Sequence, residues 1–169
     1  DALPEMLHLA YLPAPNIVRL RLSAYEVDGA SVEAIIDHQF ELLRKIIPEA
    51  IVGFEDATVE QLVHNALIAN KKTLSVAESC TGGAIAQKFT AMAGASAYFH
   101  TGVVAYSNEA KADILGVNAD DIARYGAVSE QVAIQMAEGV RRVGRSDYGI
   151  STTGIAGPSG GSAEKPVGT

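Results

Sequence analysis

Residues Thr73 to Ala93, TLSVAESCTGGAIAQKFTAMA, decide the fold. Thr73 to Ala77 is a short apolar run of strand length. It leads straight into Glu78-Ser79-Cys80-Thr81-Gly82-Gly83, after which Ala84 to Ala93 can be helical. Downstream, Tyr98 to Tyr106 reads as a strand and Asn108 as the cap of a short helix through Leu115. Ser129 and Glu130 start a longer helix carrying Val132, Met136 and Val140, and Tyr148 to Thr152 is a third strand. Thr153 to Gly161 is a glycine-rich loop, and Pro166 to Thr169 look like the opening of another strand. Upstream, Thr58 with Gln61 forms a capping box for a helix whose apolar face is Val59, Leu62, Val63, Ala66 and Leu67, reaching about Asn70. Strands alternating with helices predict an α/β fold, a three-layer α/β/α domain with a helix-covered sheet over residues 57–169.

Residues 1–56 read differently. Asn16 to Tyr25 alternate Val18, Leu20 and Leu22 with Arg19, Arg21 and Ser23, the period of a half-buried strand. Glu26 to Ala30 turns, Ser31 is placed to cap a helix through Val32, Ile35, Ile36, Phe40, Leu43 and Ile47, and Pro48 stops it. A second strand is expected at Ala50 to Phe54. The result is a small α+β (strand-helix-strand) module with its own core of Leu20, Leu22, Ile35, Phe40 and Leu43, joined to the larger domain by a hinge at Asp56 and Ala57. The chain reads as an excerpt, with further sequence expected on both sides.

Composition narrows the function. The 169 residues carry 13 Lys+Arg against 20 Asp+Glu, 48% hydrophobic residues and one Cys. Cys80 alone forms no internal disulfide, no signal-like apolar segment opens the chain, and no apolar run approaches the roughly 20 residues of a membrane span. A cytoplasmic protein without membrane contact is expected. Residues 1–56 hold 4 basic and 10 acidic groups, which opposes direct nucleic-acid binding, since that needs clustered Lys and Arg. With no Cys pair, no H-E-x-x-H and no carboxylate cluster, neither a metal nor a cofactor is expected.

Three stretches could carry chemistry. Ser79 lies at a strand-to-helix turn where backbone N–H groups converge, a geometry that can build a nucleophile and an oxyanion hole together; equally, it could cap the following helix, with an anion bound there. Tyr106-Ser107-Asn108-Glu109-Ala110-Lys111 runs from a strand end into a helix, so Tyr106 and Lys111 can reach the same rim as Ser79. A desolvated Lys can act as a base; a solvated one beside Glu109 cannot. Thr153 to Gly161 follows a strand end, and its hydroxyls and N–H groups suit a phosphate, though it is neither a Walker loop nor G-x-G-x-x-G. Among the histidines only His100 could face such a site, and Cys80 is either a nucleophile or a buried inert thiol.

AESCTGG (77–83), GVVAYSNEAK (102–111) with LGV and GAVSE following, and TGIAGPSGGSAEKPVGT (153–169) resemble, in order and spacing, the C-terminal domain of the CinA family of competence- and damage-inducible proteins. Leu12-Pro13 with the IVRLRLSA strand resembles part of the linker module preceding that domain. The resemblance implies a nicotinamide-mononucleotide deamidase of the pyridine-nucleotide cycle, without cofactor, in a homodimer. Its implied catalytic residues are Ser79 as nucleophile, Tyr106 and Lys111 as acid/base partners, and Thr153 in the pocket. Thr81, Gly82 and Gly83 would stabilise the oxyanion, and Gly154, Gly157, Gly160 and Gly161 would help hold the ribose phosphate. A non-enzymatic partner in competence or the DNA-damage response, and a nucleotide-binding phosphoryl-transfer protein, are the alternative readings.

Overall fold

The computed structural model describes residues 3–14, 17–25, 29–54 and 57–169, and the chain divides into two compact units, 1–55 and 56–169. In the first unit, β1 (Leu7–Ala14) pairs antiparallel with β2 (Ile17–Ala24), setting Leu9 against Leu22 and Tyr11 against Leu20. Helix α1 (Gly29–Ile46) follows, then a short 3-10 turn at Pro48–Ala50.

This corrects the strand-helix-strand expectation: the unit runs strand-strand-helix, and Ile51 to Phe54 forms no strand. β2 takes its partner from β1. The chain after α1 folds back through an aromatic contact, with the Phe54 ring edge-on to Phe40 at 5.6 Å and the Arg44 guanidinium 4.6 Å from the Phe54 centroid. The helix already includes Gly29 and Ala30, so Ser31 lies inside it rather than at its cap. Asn16, Glu26 to Asp28 and Asp56 fall outside the described residues. The expected core residues Leu20, Leu22, Ile35, Phe40 and Leu43 are all only half-buried.

The second unit is a parallel three-stranded sheet in the order β4-β3-β5, flanked by helices. β3 is Leu74–Glu78, β4 Phe99–Val104 and β5 Tyr148–Thr152. Every residue of the central β3 is buried, which fits a strand covered on both faces. Leu74 and Val76 pack with Leu67 of α2 (Val59–Ala69), Phe89 of α3 (Ala84–Thr90) and Tyr98. Ala77 packs on the other face with Leu115 of α4 (Asn108–Leu115), Ile122 of α5 (Ala119–Tyr125) and Val132, Met136 and Val140 of α6 (Glu130–Gly144).

Local sequence sets most helix starts. The Thr58 and Ser129 hydroxyls accept from the amides of Gln61 and Val132, and Asn118 caps α5, a helix the sequence reading did not name. Ser107, not Asn108, caps α4. Pro166 to Thr169 form a turn rather than a strand; the Gly168 amide donates to the Ile155 carbonyl (2.8 Å) and the Ile155 amide to the Thr169 carbonyl (2.9 Å). Among the described residues no helix is long and apolar enough to cross a membrane.

Candidate active site

The chain leaves β3 toward α3 on one face of the sheet and leaves the adjacent β4 toward α4 on the other. Connections that part in this way open a crevice at the carboxyl ends of the two strands, the usual place for a ligand in an open α/β sheet. Ser79 sits there, one residue beyond β3. Strand alternation puts it on the α4 side with Ala77, while Glu78 faces α3. The backbone is held from both neighbouring strands: the Ser79 amide donates to the Thr152 carbonyl (3.0 Å), and the Ala105 amide donates to the Glu78 carbonyl (2.8 Å).

Lys111, in the first turn of α4, is 1% exposed, and Ser79 is 8% exposed. Its Nζ lies 3.1 Å from Ser79 Oγ, 2.9 Å from the Ala105 carbonyl oxygen and 3.3 Å from that of Tyr106. Burial pushes the Lys111 ammonium below its ordinary pKa of 10.5, only partly opposed by the nearby Cys80 thiol. A neutral amine has two N–H bonds and one lone pair. As an ammonium Lys111 donates to Ser79 Oγ and to both carbonyls; once neutral it could keep its two N–H bonds on the carbonyls and turn its lone pair to the Ser79 hydroxyl.

The helix-capping role considered for Ser79 belongs to Glu78, which the sequence reading passed over. Its carboxylate, 1% exposed, accepts from the amides of Gly83 (3.0 Å), Ile85 (3.1 Å) and Ala86 (2.7 Å). Burial alone would raise the Glu78 pKa, but the Thr81 hydroxyl and these three amides outweigh it and hold the carboxyl below its ordinary value. The one available signal was β3 alternation, which sends Glu78 and Ser79 to opposite faces. Gly82 (φ +61°) and Gly83 (φ +100°) make the turn in a region that side chains disfavour.

Two of the three turn amides expected to face an oxyanion already have protein acceptors. The Gly82 amide bonds the Ser79 carbonyl (3.0 Å) and the Gly83 amide is spent on Glu78, whereas the Cys80 and Thr81 amides donate to no described protein acceptor. The Thr81 hydroxyl instead meets that of Thr152 at 2.7 Å.

Tyr106 reaches the site only through its carbonyl; its side chain is 74% exposed and makes no hydrogen bond with Ser79 or Lys111. Thr153 follows β5 directly and donates its hydroxyl to the Ala127 carbonyl (2.9 Å). Gly154 lies against Cys80, where an added Cβ would come within 3.2 Å of the sulfur and 2.6 Å of the Thr169 oxygen. The amides of Gly157, Gly160 and Gly161 donate to no described protein acceptor. Lys165 anchors this loop, donating to the carbonyls of Tyr125 and Val128, both at 2.6 Å. His100 is at the opposite end of β4, with Nδ1 3.0 Å from the Gly144 carbonyl oxygen.

Comparison with known proteins settles the family. The sequence model of the CinA C-terminal domain matches residues 56–169. The chain belongs to the CinA family. It is 46% identical to a CinA-like protein of Salinibacter ruber and 45% identical to one of Flavobacterium psychrophilum, each match covering 100% of this chain and 41% of the relative. The chain therefore spans about two fifths of the length of these curated relatives. Among solved CinA structures, the competence/damage inducible protein CihA of Agrobacterium tumefaciens is 47% identical, with a TM-score of 0.63 over 64% of this chain and 66% of that one. The competence damage-inducible protein A of Klebsiella pneumoniae is 41% identical, also with a TM-score of 0.63, over 64% of this chain and 68% of that one.

Proposed function

We propose that this CinA domain hydrolyses the carboxamide of nicotinamide mononucleotide to nicotinate mononucleotide and ammonia through a serine nucleophile. The observation that carries this reading is the buried pair of Ser79 Oγ and Lys111 Nζ, 3.1 Å apart, with the amine destabilised as an ammonium by its surroundings.

In the forward step Lys111 takes the Ser79 proton as Oγ bonds to the carboxamide carbon. The carbonyl electrons move onto oxygen, facing the Cys80 and Thr81 amides. Collapse breaks the C–N bond, the departing nitrogen takes the Lys111 proton and leaves as ammonia, and a nicotinoyl ester remains on Ser79. Water then attacks the ester, giving its proton to Lys111 as the C–O bond to Ser79 breaks, and that proton returns to Oγ. Tyr106 remains a candidate acid/base partner and Thr153, beside the end of β5, a candidate pocket residue, and the Gly157, Gly160 and Gly161 amides, which donate to no described protein acceptor, suit the ribose phosphate.

Ammonia release from nicotinamide mononucleotide by the whole protein, with a Ser79→Ala variant as control, tests the reading. Turnover lost in the variant supports it; undiminished turnover removes Ser79 as nucleophile, and no release from the parent protein removes the substrate.

A further inference from the structure

The turn that carries Ser79 is held by a group that takes no part in the chemistry above. The N-cap of α3 is Gly83, which has no side chain to offer the exposed helix amides. A Ser or Asp there would have capped the helix locally. Here the acceptor comes from inside the sheet, as the Glu78 carboxylate contributed by the last residue of β3, and it takes the amides of Gly83, Ile85 and Ala86 together.

Burying a carboxylate is costly unless it is fully hydrogen-bonded, and a helix start of this length needs no buried charge to be capped. What the arrangement adds is a fixed distance between β3 and α3. The four residues Ser79 to Gly82 span that distance and are held at both ends, by the Ser79 amide on Thr152 and by the Glu78 grip on Gly83, with the Gly82 amide bonded across the turn to the Ser79 carbonyl. Thr81 adds a further tie, its hydroxyl meeting that of Thr152 and helping to hold the Glu78 carboxyl below its ordinary pKa. With the helix amides consumed internally, the Cys80 and Thr81 amides beside Ser79 donate to no acceptor among the described residues.

We propose that Glu78 is a positioning residue for acyl transfer at Ser79: its grip on the start of α3 holds the Ser79–Gly82 turn in the shape that presents Oγ to Lys111 and keeps the Cys80 and Thr81 amides available to the developing oxyanion. The proposal rests on Ser79 being the nucleophile, and it does not depend on which amide or ester is the substrate. Glu78 lies on the sheet face opposite Lys111, so it acts through geometry and leaves the amine's own titration alone.

The test uses Glu78→Gln, which keeps the reach but turns an NH2 group toward backbone amides, and Glu78→Asp, which keeps the charge but falls one methylene short. Each is assayed in the whole protein, well below its melting temperature, for kcat and KM with nicotinamide mononucleotide and for the rate at which a fluorophosphonate labels Ser79. In that labelling an Oγ–P bond replaces P–F, and fluoride leaves with the hydroxyl proton passed to Lys111. The expected result is a fall in kcat and in labelling rate of about tenfold to a hundredfold, with KM nearly unchanged and the pH at which activity rises unmoved.

A lower melting temperature with kcat and labelling within about twofold of the parent would make Glu78 a helix cap and nothing more, overturning the proposal. A rise in KM alone would overturn it as well. If neither variant folds, Thr81→Val removes the hydroxyl bridge while leaving the three amide bonds, and a smaller loss of the same kind is expected; an unchanged kcat and labelling rate there overturns the proposal. A parent protein that ignores nicotinamide mononucleotide, yet whose Ser79 labels quickly and slows in Glu78→Gln, would overturn the substrate reading and support the positioning role.

Discussion

Residues 1–55 and 56–169 handle their apolar side chains in opposite ways. Among the described residues Leu7, 6% exposed, is the one buried hydrophobic of the first unit, while Tyr11, Val18, Ile46 and Val52 are each more than half exposed. The second unit buries Val76, Ala77, Tyr98, Leu115, Val132, Met136 and Val140 completely. The cause is the number of layers. A two-stranded ladder and one helix cannot cover both faces of anything, whereas a sheet with helices on each side removes the whole of its central strand from water. The chemistry follows the same division: a Lys loses its charge readily only where burial is deep, and the second unit supplies that depth at Lys111.

The largest effect expected from this contrast is on catalysis. Ser79→Ala and Lys111→Ala should each lower ammonia release from nicotinamide mononucleotide by roughly a thousandfold or more, and the double variant should be little worse than either, because the pair acts as one proton-transfer unit. Lys111→Arg should not restore activity, since a guanidinium stays protonated. Steady-state kinetics check all four variants, and additive losses in the double variant would show that the two groups act separately.

The next expectation is a pH profile. Lys111 has a lowered pKa, so its ammonium predominates at low pH and the neutral base appears as pH rises through a value below 10.5. Activity should climb along that limb. A limb at or above 10.5 would mean that the buried amine is not the base.

Stability should show the division directly. Met136→Ala removes a fully buried side chain and should cost about 2–5 kcal/mol, whereas Phe40→Ala, at a half-buried site, should cost about 1 kcal/mol. Hydrogen exchange resolved along the chain measures each loss in its own unit, and equal losses would contradict the burial contrast.

The smallest effect belongs to the base of the sheet. Asp147 accepts from the Thr73 amide and hydroxyl (both 2.9 Å) and pairs with Lys72 (3.0 Å), and these partners, Lys72 first, lower its pKa from 3.8 to about 2. A depressed carboxylate contributes stability above its unfolded value and loses it as pH falls through the folded one, here between about pH 4 and pH 2. Asp147→Asn should slightly lower the midpoint of urea unfolding at neutral pH and flatten the decline over that acid range. An unchanged acid profile would show that this exposed cluster contributes nothing.

Much of the second unit is legible in its residues. The Thr58 and Ser129 caps, the strand at Tyr148 to Thr152 and the strand-to-helix turn at Ser79 are local features, written by side chains within three or four positions of the backbone they organise. The first unit was harder to read for the same reason turned around. LHLAYLPA becomes a strand through its ladder with β2, and Ile51 to Phe54 loses its strand because Phe54 finds Phe40.

By itself, then, the sequence determined the α/β class, the family and the residue types gathered at the ends of β3, β4 and β5. Only the tertiary structure decided how those residues are used. Strand order brings Lys111 to Ser79 across 32 positions of chain, two carbonyls direct the Lys111 amine, and the Tyr106 phenol is left in solvent. Of the glycine-turn amides, that of Gly83 goes to Glu78 and that of Gly82 to the Ser79 carbonyl. Hydrogen-bond donors at a turn look alike in sequence, and which acceptor each one meets depends on what the rest of the fold carries to it.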